Sequence, residues 1–308
     1  MNPIIYAKTA VITRTKNRPI FLKRAIESVL SQAERDFVHV IVNDGGDREP
    51  VDSLLEGFKD RYENRLLLIH NEKSLGMEAA SNVGIRSSDS MYVVIHDDDD
   101  SWHPNFLGKM TSYLESNDVI RNLGGVVCYT TEISEQITDD QIKEVARRSI
   151  ASWIKDISLW RMCADNYFAP ISFLYKREVY DKIGGLYRED IPVQGDWEFN
   201  LRFMQQYEIG LLKEHLAFYY IRISNDKSGE AYSNSVNNME KHSFYKTYLR
   251  NEFLRKELAE GKLGVGYMMN VNPIILRVDR AAHGLIRIWE KLKYPFVFLK
   301  ALRLKALT

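Results

Sequence analysis

Four consecutive aspartates, Asp97 to Asp100, follow the apolar run Met91–Ile95 and a single histidine, His96. Like charges this close repel and raise one another's pKa, so such a run calls for a positive partner. A divalent cation meets that need, because Mg2+ and Mn2+ favour carboxylate and phosphate oxygens. Held there, the ion would bridge the chain to a diphosphate and neutralise its charge as it leaves. The competing reading is an acidic turn that caps the next helix, with Asp100 or Ser101 as the cap and Pro104 near the helix start. On the run alone the two readings stand level.

Two further polar clusters end apolar runs in the same way. Thr13–Arg18 closes the β-rich stretch Thr9–Thr13, and Asn43–Asp47 closes Phe37–Val42 with a strong turn signal. Helical patterns lie between. Pro19 suits the first turn of a helix, whose apolar face is Leu22, Ala25, Ile26, Val29 and Leu30. Leu66–Ile69 is a short strand, Gly76–Ile85 a helix with small residues on one side, His103–Leu114 a further helix and Val126–Tyr129 a buried strand. Such alternation predicts an α/β fold, a mostly parallel Rossmann-like sheet flanked by helices. Ligands on these sheets bind at the carboxyl ends of the strands. All three polar clusters fall at such ends, which moves the aspartates from capping towards metal binding.

Beyond Glu132 the pattern changes. Ser134–Arg148 is polar and reads as a surface helix, and Ile171–Tyr175 as a strand. Lys182–Leu186 is a helix end stopped by glycine. Gln194–Tyr207 is a helix with Trp197, Leu201 and Met204 on one face, Ala217–Ile223 a strand, and Ser224–Asn238 a polar loop. Helices fill most of Met239–Thr308. The expected organisation is one domain over 1–238, in halves 1–131 and 132–238, and a C-terminal helical extension over 239–308.

With 308 residues, 45% of them apolar, the chain can build a core without a metal or disulfide to hold it. Lysine plus arginine (42) equals aspartate plus glutamate (42), which argues against a protein that coats nucleic acid. Cys128 and Cys163 lack metal-type spacing and read as buried thiols in a reducing compartment. No signal peptide or membrane-spanning stretch is evident, so the expectation is a cytoplasmic protein.

The chain resembles the family 2 glycosyltransferases, inverting enzymes with the GT-A nucleotide-diphospho-sugar fold, over Thr9 to Arg222. The pieces stand in the family's order: Thr13–Pro19 with Leu22 and Ser28–Gln32, then Val42–Asp47, then Asn71 through Gly76 to Ala80, Asn82 and Gly84. Tyr92–Pro104 is similar to the metal segment and Gly195–Arg202 to the acidic helix start. The resemblance implies that Thr13 and Thr15 contact the nucleoside and that Asp44 accepts a hydrogen bond from the base. It places Asp97 and Asp98 near ribose and metal, makes Asp99 the main metal ligand with Asp97 beside it, and makes Asp196 the catalytic base. It makes Asn82, in its third element, a donor-binding residue, 1–238 the catalytic domain, 1–131 the nucleotide-sugar-binding half and 132–238 the half with the acceptor side and the base. Two departures stand out: Gly195 replaces an acid common before the base, and Ser81 replaces an arginine common before the asparagine. Lys73 or Arg18 could supply that positive charge, and Arg222 lies where such folds close over the diphosphate. His215 is a candidate further metal ligand, with a structural role competing.

A carboxylate at Asp196 suits the chemistry, because a sugar hydroxyl is a poor nucleophile until a base takes its proton. A helix N-cap is the plain alternative for Asp196, and Glu198 is the reserve base. On the acceptor side stand Trp102, Asn166 and Trp197, since aromatic faces pack on sugar rings and an amide can bind hydroxyls. The tail combines Arg277, Arg280, Arg287, Lys291, Lys293, Lys300, Arg303 and Lys305 with Trp289, Tyr294, Phe296 and Phe298. Such a helix suits an anionic membrane surface, a packing role or a homo-oligomer contact. The expected activity is transfer of sugar from a nucleotide-diphosphate donor to a glycan or lipid-linked acceptor of a bacterial-type surface polysaccharide, with Mn2+ or Mg2+. One rival is a sugar-phosphate nucleotidyltransferase, disfavoured because no glycine-rich loop follows Thr13. Another is a non-catalytic carbohydrate- or metal-binding module, which would have no need of Asp196.

Overall fold

The computed structural model describes residues 6–138, 141–222, 239–262 and 264–305. The expected loop Ser224–Asn238 lies outside them. The elements run β1 (Tyr6–Thr15), α1 (Pro19–Leu30), β2 (Phe37–Asp44), α2 (Arg48–Glu56), α3 (Lys59–Tyr62), β3 (Leu66–Asn71), α4 (Met77–Arg86) and β4 (Asp89–Ile95). Next come β5 (Ser101–Trp102), α5 (Phe106–Ser116), β6 (Leu123–Thr138), β7 (Gln141–Ile150), α6 (Leu159–Ala164), β8 (Phe173–Lys176) and α7 (Arg177–Lys182). The series ends with α8 (Gly195–Met204), β9 (Glu208–Arg222), α9 (Met239–Ala259) and α10 (Val265–Lys305).

The strands form one sheet in the order β3-β2-β1-β4-β8-β6-β9-β5, with β7 paired to β6. β1 is parallel to both β2 and β4, and β2 is parallel to β3. This is the expected parallel half. Beyond it the sheet is mixed: β8 runs antiparallel to β4 and β6, while β6 and β9 are parallel. The chain moves outward from β1 through β2 to β3, then returns to β4 on the other side of β1. That reversal opens a crevice at the carboxyl ends of β1 and β4, the place where such sheets take ligands.

Burial explains the pattern. β2 is buried at every position, as a strand covered on both faces must be. Leu22, Ile26 and Leu30 of α1 pack with Ile41, Val51 and Leu55 in one core cluster. Val11, Val94, Phe106, Met110, Val126 and Leu174 form the centre of another. Each such side chain contributes about 1.5–3 kcal/mol when fully buried.

Ser134–Arg148 is not a helix. β6 continues through it to Thr138, and β7 returns antiparallel, with Glu132 opposite Arg148 and Thr130 opposite Ile150. Pairing with β9 on the other side of β6 fixes the extended backbone, so tertiary contacts override the local polar pattern.

Contacts divide the chain into two units. One comprises Met1–Met162 with Asn166–Tyr248, and the other Cys163–Asp165 with Leu249–Thr308. The division thus falls inside α9, ten residues past the expected 238/239 boundary. Within the second unit Leu249, Met269 and Asn272 are buried, and Arg250 donates to the carbonyls of Met269 and Ala164. The opposite side of α10 exposes Ile274, Val278, Leu285, Ile288 and Trp289. The side chains of Lys291, Lys293, Tyr294, Phe296, Phe298, Lys300, Arg303 and Lys305 lie outside the described residues. No described helix is long and apolar enough to cross a membrane.

Candidate active site

The acidic run leaves β4 at the crevice. The backbone N–H of His96 still donates to the Ile12 carbonyl (2.8 Å), and that of Asp100 closes a turn onto the Asp97 carbonyl (3.2 Å). His96 is buried, with its ring edge-on to Trp102, and burial lowers its pKa to about 4, so the imidazole is neutral. The four carboxylates go separate ways. Asp97 pairs with Arg14, and Asp98 pairs with Arg18. Asp99 is shared between Arg18 (3.2 Å) and Arg222 (2.6 Å). Asp100 is fully buried and accepts from the Tyr220 N–H (3.0 Å), its other oxygen having no partner among the described residues.

These environments split the four chemically. Burial pushes Asp98 up to about 6 against the pull of Arg18. Burial acts on Asp99 in the same sense, yet Arg18 and Arg222 hold it below the ordinary aspartate range. Asp100 rises well above that range through burial and its charged neighbours Asp99 and Asp97. The arginines supply the positive charge that the run demands.

Asp97 and Asp99 face the crevice, with side chains 24% and 14% exposed, whereas Asp98 is closed off. No group of three or more metal-type side chains occurs among the described residues. A two-carboxylate site still fits Mg2+ or Mn2+, which are held through one or two carboxylates together with substrate phosphates. Asp98 and Asp100 do not belong to such a set, because each is buried against protein.

The expected nucleoside contacts divide. Thr13 is fully buried and its hydroxyl lies 2.8 Å from Nε2 of His39, which also meets Tyr62, so it serves the core and not a nucleoside. Thr15 is nearly buried, and its hydroxyl is turned to the Asp98 carboxylate. Asp44 is occupied by four donors: Asn71 (2.8 Å), Ser74 (2.8 Å) and the N–H groups of Leu75 (2.9 Å) and Gly76 (3.0 Å). They outweigh burial and hold Asp44 below its usual range. A carboxylate has about four lone-pair sites, so Asp44 shapes the loop after β3 and has none left for a base. Gly45 lets that loop approach: its φ is +70°, and a β-carbon there would lie 2.5 Å from the Lys73 carbonyl carbon. Lys73 itself is exposed on this loop. Asn82 is buried and clamps the Tyr187 backbone through its N–H and carbonyl (2.8 Å each), so its amide holds α4 to the 187–189 segment and does not reach a donor.

Asp196 opens α8 at the same crevice. One oxygen accepts from the Trp197 N–H (2.8 Å) and the other from the Asn166 amide (2.7 Å). Asn166, itself meeting Asn200 (3.2 Å), therefore holds the carboxylate in place. Burial raises Asp196 above the ordinary aspartate range, while the Trp197 N–H and Arg14 pull the other way. Trp102 and Trp197 are core residues and not sugar platforms. Trp102 is 3% exposed, stacks on Phe106 and donates to the Ile171 carbonyl; Trp197 is 0% exposed and donates to the Met162 carbonyl. Glu198 is buried in a pair with Arg202, which removes it as a reserve base. His215 meets Thr131 and Ser149 through its two ring nitrogens, as a structural histidine would.

Three residues at the site escape sequence reasoning. Arg14 joins β1 to α4 and to the turn after β4 through Met77, Ser81 and Asp97. Its charge is felt by Glu78 and Asp196 alike. Glu135, from the strand read as a helix, ion-pairs with Arg24 (2.6 Å) and Arg222 (3.7 Å). Glu78 of α4 lies against Gly195: a β-carbon there would sit 2.7 Å from its Cδ and nearer still to Cγ and Oε1. The small residue at 195 was the available signal. Arg14 likewise stands where Ser81 leaves room for a guanidinium.

Residues 10–184 match glycosyl transferase family 2. The chain belongs to that family. This glycosyltransferase is 25% identical over 203 residues to the uncharacterized glycosyltransferase YwdF of Bacillus subtilis, covering 66% of this chain and 70% of the relative. It is 24% identical to the uncharacterized glycosyltransferase MJ1057 of Methanocaldococcus jannaschii, covering 79% and 80%. Its fold is similar to the mannosyltransferase PcManGT of Pyrobaculum calidifontis in complex with GDP-Man and Mn2+ (TM-score 0.55, 16% identity, 87% of this chain and 70% of that one). It is also similar to S. aureus TarS 1-349 in complex with UDP-GlcNAc (TM-score 0.54, 16% identity, 71% of this chain). The chain spans 60% of that TarS fragment. These likenesses show the GT-A fold.

Proposed function

We propose that this glycosyltransferase moves a sugar, with inversion, from a nucleotide-diphosphate donor to a hydroxyl of a glycan or lipid-linked acceptor, with Asp196 as general base. The observation that carries this is the Asp196 carboxylate, fixed by Asn166 and the Trp197 N–H at the start of α8 and raised by burial. Raised pKa at fixed geometry is what a base working near neutrality needs.

The donor lies along the carboxyl ends of β1 and β4. Arg18 and Arg222 hold its diphosphate, with Lys73 and Thr15 at the nucleoside end. Asp97 and Asp99 would hold a Mn2+ or Mg2+ ion, which would supply charge neutralisation at the leaving oxygen. The acceptor hydroxyl oxygen forms its bond to the anomeric carbon as the carbon–oxygen bond to the diphosphate breaks. Asp196 takes the hydroxyl proton, and the nucleoside diphosphate leaves with the bonding electron pair. Attack from the face opposite the diphosphate inverts the anomeric centre.

In the wider reading, residues 1–238 form the catalytic domain, and the helical extension brings it to a lipid-linked acceptor at a membrane surface. Its support is the exposed apolar side of α10 together with Arg277, Arg280 and Arg287. Flotation with anionic and neutral vesicles, before and after removal of residues 286–308, decides that part. The transferase reading is tested by a donor screen with Mn2+, scored by thermal shift and by nucleoside-diphosphate release. Stabilisation by one nucleoside diphosphate with release from its sugar supports it; no response to any nucleotide sinks it.

A further inference from the structure

Glu78 has no task in the scheme above. It sits in the first turn of α4 and is only 6% exposed. Its carboxylate accepts from its own backbone N–H. A buried carboxylate with so few donors is costly, about 1–3 kcal/mol for each hydrogen bond not made, so its retention needs a reason. The charge of Arg14 offsets part of that cost, but its guanidinium hydrogen-bonds Asp97, Ser81 and the Met77 carbonyl.

Gly195 shows where the Glu78 carboxylate points. The space beside the α-carbon of residue 195 is filled by Cγ, Cδ and Oε1 of Glu78. Asp196 is the next residue. Two carboxylates from different helices, Glu78 on α4 and Asp196 on α8, therefore stand side by side at the crevice. Asp196 adds to the rise in the proton affinity of Glu78, after burial. Asp196 has donors from Asn166 and the Trp197 N–H, whereas Glu78 has only its own backbone N–H and keeps acceptor capacity open.

We propose that Glu78 binds the acceptor by accepting a hydrogen bond from a hydroxyl neighbouring the one that Asp196 deprotonates. The acceptor class is then a molecule with two adjacent hydroxyls, as a sugar ring has, and not an isolated alcohol or a phosphate. This rests on Asp196 being the base. Glu78 fixes the acceptor's rotation about the attacking carbon–oxygen bond, so that one hydroxyl of the pair, and not its neighbour, faces the anomeric carbon.

The test uses the full chain, with UDP-GlcNAc and GDP-mannose as donors, Mn2+, and methyl glucoside, galactoside and mannoside as acceptor probes. Glycoside binding is read by saturation-transfer NMR in the presence of UDP or GDP, and transfer by nucleoside-diphosphate release. Glu78→Gln, an isosteric change checked for folding by its melting curve, is expected to weaken glycoside binding about 10- to 100-fold. That loss should exceed any change in donor KM at least tenfold. A deoxy glycoside lacking the neighbouring hydroxyl should show the same loss on the native chain and no further loss on Glu78→Gln. Equal effects on donor and glycoside, no effect, or no glycoside binding to the native chain would each overturn the proposal. Because binding is measured apart from turnover, failure of nucleoside-diphosphate release from every donor counts against the transferase reading separately.

Discussion

Gly195→Ala gives the sharpest structural prediction. The added methyl would meet Glu78 at 2.7 Å from Cδ, with Cγ and Oε1 closer still. Real β-carbon contacts lie near 3.5–4 Å, so Glu78 must turn out of a nearly closed site or α8 must shift. Overpacking of this kind costs about 1–3 kcal/mol. Gly195 has an ordinary negative φ, so alanine carries no backbone penalty there. With Glu78 first cut to alanine the collision disappears, and Gly195→Ala should instead stabilise by about 0.4–1 kcal/mol through the unfolded chain. The sign reverses between backgrounds, and the double-mutant coupling should be about 1.5–4 kcal/mol. Urea unfolding of the four proteins measures it directly. Gly195→Ala that is harmless in the native background, or equally harmful in both, refutes the packing of Glu78 against Gly195.

Other perturbations follow from the same geometry. Burial raises Glu78 from 4.5 to about 7. Its stabilising contribution is therefore complete below pH 4.5 and lost as the pH rises through 7, to a limit of about 3 kcal/mol. Glu78→Gln should be more stable than the native chain at pH 8 and show no such advantage near pH 4.5; thermal melts at both values check it. Asn82→Ala leaves the Tyr187 N–H and carbonyl without their partner and should cost about 1–3 kcal/mol, read by urea unfolding, with donor KM changed less than threefold. Mn2+ should add to the melting-temperature rise produced by a bound nucleoside diphosphate. Asp99→Asn should abolish that increment while the metal-independent part, carried by Arg18 and Arg222, persists.

Much of the site was legible because strand ends mark it. Asp97–Asp100 and Arg18 lie where alternation of apolar runs and turn signals places them, and Asp196 opens a helix as its flanking pattern indicates. Tryptophan was harder. A pattern shows that Trp102 and Trp197 are large and near the chemistry, but only packing shows that both indole N–H groups are consumed by carbonyls in the core. Thr13 follows the same logic, since its partner His39 is supplied by the neighbouring strand.

The hairpin of β6 and β7 and the Arg14–Glu78 constellation share another cause. Glu135 faces Arg24 and Arg222 because β6 lies beside β9, a pairing between segments far apart in the chain. Local propensity holds no trace of that pairing. Glu78 and Gly195 are each unremarkable alone, and their complementarity exists only once α4 and α8 meet.

Asp196→Asn is the most direct test of the account. The amide preserves shape and the bond to the Trp197 N–H but cannot take a proton. With the donor and acceptor found by screening, kcat should fall about 10²- to 10⁴-fold, while nucleoside-diphosphate affinity, measured by calorimetry, stays within threefold. Transfer at near the native rate by Asp196→Asn would contradict the assignment of this carboxylate as the base.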